Sequence, residues 1–93
     1  MSLIGVAGRA GTTSSYLEKL IATGEGSPSL AGRLGTTTRN ITEFVNGAAS
    51  PGIARLLGTT TSNAQLLRDL IGREGAIGLV IGLACGLNES PQH

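Results

Sequence analysis

The side chains able to do chemistry are few and far apart. Cys85 is the sole cysteine, and His93, the sole histidine, is the last residue. A thiol or hydroxyl nucleophile needs a base within hydrogen-bond reach and a third group to orient that base. A histidine at a chain end frays more readily than it catalyses. Cys85 lies within an apolar run, where a thiol behaves as a small buried hydrophobe. Glu18, Glu25, Glu43, Asp69, Glu74 and Glu89 are scattered and form no paired-carboxylate spacing. The run "GVAGRAGTT" at 5–13 has glycines ahead of threonine, as a phosphate-cradling loop does. Such a loop follows a strand and carries Lys just before the Ser or Thr. Here four residues precede it and Gly11 stands where the Lys belongs. No catalytic residue, metal ligand, cofactor or small-molecule site is expected.

Composition limits the classes further. The 93 residues are enough for one domain, and seven basic against six acidic residues give a net charge of +1. Charged residues make up 14% of the chain, and Lys19 is the only lysine, so no face is strongly basic. A weakly charged surface repels its own copies poorly and favours association. Tyr16 and Phe44 are the only aromatics. A small domain without a heavy core usually relies on disulfides, a metal or partner subunits. One cysteine excludes an internal disulfide, which leaves association. No signal-like segment opens the chain. The longest apolar stretch, 76–87, falls short of the roughly 20 residues that span a bilayer. The expected compartment is the cytosol, within an assembled particle. A membrane-active peptide built on 76–87 is a weaker reading, because flanking cations are lacking.

The chain repeats itself. "LGTTT" occurs at 34–38 and again at 57–61, with a weaker copy, "AGTTS", at 10–14. Aligned on Gly11, Gly35 and Gly58, the copies are spaced by 24 and 23 residues. Val6-Ala7, Leu30-Ala31 and Ile53-Ala54 then match, as do Leu17, Ile41 and Ala64, and Leu20, Phe44 and Leu67. "IGLVIG" at 77–82 resembles "IARLLG" at 53–58 before the pattern lapses. Self-similarity at a fixed period is the signature of repeat architectures. The expected fold is all-α: one domain of about three and a half tandem two-helix repeats, stacked into a small helical domain. The units are 2–25, 26–48, 49–72 and a partial 75–87, followed by a tail at 88–93.

Each unit reads as two short helices. Ser before Pro caps free N–H groups and places Pro at the first helical position. The first helix of a unit therefore runs from Pro28 to Leu34, and from Pro51 to Leu57. Gly35 and Gly58 can take the left-handed conformation that ends a helix, and the threonines after them can cap the next. The helix corners are thus Gly11-Thr12, Gly35-Thr36 and Gly58-Thr59. The second helices carry Leu17, Leu20 and Ile21; then Ile41, Phe44 and Val45; then Ala64, Leu67, Leu70 and Ile71, all at helical spacing. Asn46-Gly47 and Ile71-Gly72 supply the next stops. Ala7, Ala31, Ala54 and Gly78 keep one position small for close helix crossing.

Ala31, Gly35 four residues on and Ile41 six beyond it, within "LAGRLGTTTRNITEFVNG", resemble the repressor-type helix-turn-helix skeleton. The resemblance spans about twenty residues per copy. It implies a DNA-binding protein, dimeric through its C-terminal segment, in which Thr36, Thr37, Thr38, Arg39 and Asn40 would face the major groove. There Arg can read guanine and Asn adenine. Phosphate attraction supplies much of the affinity of such proteins, and a net +1 supplies little.

Gly78, Gly82 and Gly86 recur at every fourth position of the last segment. Each Gly costs about 1 kcal/mol against Ala inside a helix. Either a close helix contact compensates, or the chain bends at Gly82. Ile77, Leu79, Val80, Ile81 and Leu83 would cover more than one helix face, so part of the segment is expected to meet another subunit. The expected interface is Ile77, Gly78, Val80, Ile81, Gly82, Leu83 and Gly86. The function this favours is a non-catalytic, self-assembling structural subunit that forms a homo-oligomer, filament, tube or shell. The alternative is the helix-turn-helix DNA-binding protein.

Overall fold

The computed structural model describes residues 3–88, which form six helices and, among the described residues, no strand. They are α1 (Leu3–Ala10), α2 (Ser14–Thr23), α3 (Pro28–Leu34), α4 (Thr38–Val45), α5 (Pro51–Leu57) and α6 (Thr61–Asn88). His93 and residues 89–93 of the expected tail lie outside the described residues.

Local chemistry accounts for nearly every boundary. The side chains of Thr13, Ser27, Thr37, Ser50 and Thr60 accept hydrogen bonds from backbone N–H groups three residues on, at 3.1–3.2 Å. Pro28 and Pro51 occupy the first turns of α3 and α5. After α1, α3 and α5 the chain turns through Gly11, Gly35 and Gly58, with φ of 78°, 74° and 74°. The Thr12, Thr36 and Thr59 amides each donate to the carbonyl of Ala7, Ala31 or Ala54 at 2.9 Å. The glycine amides donate to Gly8, Gly32 and Arg55. This double closure satisfies carbonyls that a helix end would otherwise leave open.

The core gathers Phe44, Leu17, Leu20, Leu30, Ile41, Val45 and Ile53 with a set of alanines. Ala7, Ala31 and Ala54 are buried as their small size suggests. Helix α6 packs against all five other helices. It is broken once, at Gly72 (φ 74°, ψ −178°), where the stop after Ile71 was expected. Residues 73–88 continue as helix through Gly82, so there is no bend there and no fourth corner.

Several expected core positions are corrected. A helix advances about 100° per residue, so each buries a stripe rather than a whole set of apolar residues. In α2 the stripe is Leu17 and Leu20, and Ile21 stands aside at 46% exposure. In α6 Ala64 and Arg68 face inward; Leu66 and Leu70 lie about 200° around from them and are 62% and 84% exposed. By the same geometry, burial of Ala76, Val80 and Ala84 turns Gly78, Gly82 and Gly86 outward. Gly78 is therefore not a close-crossing position, and the last segment is a core element rather than the end of a stack.

Substitutions at two kinds of glycine should have opposite signs. Nothing crowds a Cβ at Gly35, so Gly35→Ala there meets only the backbone strain of positive φ, about 1–2 kcal/mol destabilising. Gly78→Ala, in an open helical position, should stabilise by about 0.5–1 kcal/mol. Urea denaturation of both variants measures the pair, and a neutral Gly35→Ala would contradict the corner geometry.

Candidate functional site

The corners are the features that bring polar side chains together. At the first, Ser29 Oγ donates to Thr12 Oγ1 at 2.7 Å, and Ser27 Oγ lies 3.4 Å from the same atom. The Arg33 guanidinium covers Gly11 so closely that a Cβ there would overlap it. At the second, Asn40 Nδ2 donates to Thr36 Oγ1 at 3.0 Å. Gly52 of α5 sits over that pair; a Cβ on Gly52 would fall 2.6 Å from Asn40 Nδ2. At the third, Asn63 Nδ2 donates to Thr59 Oγ1 at 3.1 Å, and both residues are exposed. The first two corners thus seat the starts of α3 and α5.

Two polar side chains that tie helices together escape a reading based on apolar periodicity. Arg68 is 9% exposed, and its guanidinium donates to the carbonyls of Phe44 and Val45 at 2.6 and 2.8 Å. It places positive charge at the C-terminal end of α4, where the helix dipole is negative. Gln65 bridges the α4–α5 linker, donating to the Gly47 carbonyl at 2.8 Å and accepting from the Ala49 amide at 2.9 Å. The signal was present, because Arg68 aligns with buried Val45. A charged residue on a buried face must find a partner. Arg73 makes a longer bond of the same kind, 3.4 Å, to the Ile21 carbonyl of α2.

Of the expected major-groove residues, Thr36, Thr37, Arg39 and Asn40 have side-chain partners within the chain. Arg39 pairs with Glu43 one turn on, at 2.9 Å. That hydrogen bond, and then the carboxylate's charge, hold the guanidinium pKa above its ordinary value. Asn40 is used on Thr36, and Thr38 gives its carbonyl to the Thr42 hydroxyl at 2.9 Å. An open cleft of about 670 Å³ lies beside them, lined by Thr23, Glu25, Gly26, Pro28, Thr38, Arg39, Thr42 and Glu43. Its one cation and one of its two carboxylates already neutralise each other.

The expected interface residues divide. Ile77 and Val80 are 7% and 2% exposed within the chain's own core, so they cannot meet a partner. Gly78, Gly82 and Gly86 are exposed; Ile81 and Leu83 are half-buried. Gly82, Leu83 and Gly86 line a shallow apolar groove of about 260 Å³ with Leu56. Cys85 is half-buried and donates its Sγ–H to the Val6 carbonyl at 3.9 Å. The glycine-rich run 5–13 is helix α1 and its corner rather than a loop after a strand.

The chain is all-helical, and no helix among the described residues is long and apolar enough to cross a membrane. No protein-family model, curated protein or solved structure matches it.

Removing the Arg68 side chain takes a donor from the Val45 carbonyl and leaves the Phe44 carbonyl with the Gly47 amide. Arg68→Met should destabilise the chain by about 1–3 kcal/mol, the cost of losing charged hydrogen bonds to a buried helix end. Arg55→Met, at an exposed position, should change stability by less than about 0.5 kcal/mol. Denaturant melts of the two variants test this, and equal effects would remove Arg68 from the account.

Proposed function

We propose that this chain is a non-catalytic structural subunit that assembles with copies of itself, acting in the cytosol. In this reading it is built from three stacked two-helix repeats and one additional helix, 73–88, that fills the centre. The observation that carries it is the exposure of large aliphatic side chains on the first and last helices. Ile4 is 74% exposed in α1, and Leu66 and Leu70 are 62% and 84% exposed in α6. Of the two aromatics only Phe44 serves the core, Tyr16 being 42% exposed, so leaving these large aliphatics in water forgoes burial of roughly 1.5–3 kcal/mol each. Contact with another copy would recover part of it. Low charge lowers the electrostatic barrier to that contact.

DNA binding is the second reading, favoured by the buried Ala31 and Ile41 flanking left-handed Gly35. It ranks lower because Arg39 is neutralised by Glu43 and Asn40 is held by Thr36. Selection from random duplexes at low salt is expected to enrich no consensus. A defined site that is lost in Arg39→Ala and Asn40→Ala would reverse the ranking.

Sedimentation velocity across a hundredfold concentration range, with negative-stain imaging, tests assembly directly. Particles larger than a dimer are expected. A monomer at every concentration refutes the proposal.

A further inference from the structure

Resting on the self-assembly reading, we infer that copies join by exchanging helix 73–88, each giving it to the core of the next through a hinge at Gly72. The kink that keeps this helix in its own chain is one residue long. Gly72 has φ 74° and ψ −178°, and the chain is helical on both sides of it. That combination of angles is essentially confined to glycine. Gly75, three residues on, lies under Ile71 so closely that a Cβ there would fall 2.6 Å from the Ile71 Cβ. In an unbroken helix the same two positions are ordinary i, i+4 neighbours, about 5–6 Å apart at Cβ. Two glycines therefore permit the kink, and a continuous helix from Thr61 to Asn88 needs neither.

The two halves of α6 are held differently. Arg68 and Gln65 tie 61–71 to carbonyls at the end of α4 and at Gly47 in the linker, so this half stays with its own chain. From Gly75 to Asn88 the second half has no charged residue, and it buries Ala76, Ile77, Val80 and Ala84. A straightened α6 carries that apolar face out of its own core, and water is a poor solvent for it. The groove vacated in another copy fits it side chain for side chain, because the contacts are those it made at home. Short hinges invite such exchange, and exchange is a low-cost route to oligomers because the core is conserved. Leu70, 84% exposed and two residues before the hinge, lies where the donor and acceptor bodies meet. Each copy gives to one neighbour and receives from the other, so the exchange propagates into a ring or a filament.

Cys85 reports which chain supplies the helix, because its Sγ lies 3.9 Å from the Val6 carbonyl of α1. Val6→Cys is treated with a short bis-maleimide and run on a denaturing gel. Covalent species of two or more chains are expected under assembling conditions, and bridged single chains wherever sedimentation shows a monomer. Gly72→Ala and Gly75→Ala each penalise the kink and should lower the concentration of half-assembly by roughly 5–30-fold. Gly78→Ala, where a Cβ meets nothing, adds the same methyl outside the kink and should leave that concentration unchanged. Circular dichroism confirms folding, and if an alanine variant loses helicity the cross-link at the native hinge decides. Bridged single chains within sedimenting particles, or kink variants that assemble no more readily than Gly78→Ala, overturn the exchange while self-assembly stands. If the unmodified chain is monomeric throughout, the self-assembly reading fails and the exchange with it.

Discussion

A left-handed glycine immediately after a short helix is the constraint on which this structure depends. At Gly11, Gly35 and Gly58 it lets the next amide reach back to an alanine carbonyl. The helix ends within one residue, and a threonine hydroxyl opens the next helix two residues later. Helices of seven or eight residues are too short to be stable alone in water. They persist here because their C-terminal ends are closed, the starts of α3 and α5 are capped, and one face is buried. Without the corners, α1, α3 and α5 would have neither their ends nor their packing partners.

Short helices bring a cost in burial, since each contributes only a few apolar residues. The remedy is α6, which packs against all the others and supplies Ala76, Ile77, Val80 and Ala84 to the core. Arg68 and Gln65 extend that role through hydrogen bonds, closing the end of α4 and the linker after it. The first part of α6 therefore buries a guanidinium where it meets α4, and Leu66 and Leu70, on its other side, turn to solvent.

The local features were readable from the sequence because their causes lie within a few residues. Ser27-Pro28 and Ser50-Pro51 start helices by capping, and Gly35, Gly58 and Gly72 stop them by conformation; all five act where expected. What failed concerned which face a helix shows its neighbours. Gly78, Gly82 and Gly86 suggested close packing or a bend, yet they lie on the outer face of an unbroken helix. Val80 and Ile77 suggested an interface, yet the core takes them. Those outcomes depend on where 73–88 returns in space, and periodicity does not encode that. The alignment of Arg68 with Val45 marks a buried position, but its partners, carbonyls 23 and 24 residues away, are not written in any side-chain motif.

Amide hydrogen exchange at Thr12, Thr36 and Thr59 measures the corner constraint most directly. These amides lie outside the helices, and Thr59 is exposed. Their bonds to Ala7, Ala31 and Ala54 should nonetheless protect all three to the level of interior helical amides. Exchange at the rate of an open loop at any one of them would contradict the account at that corner. Open-loop exchange at all three would contradict it entirely.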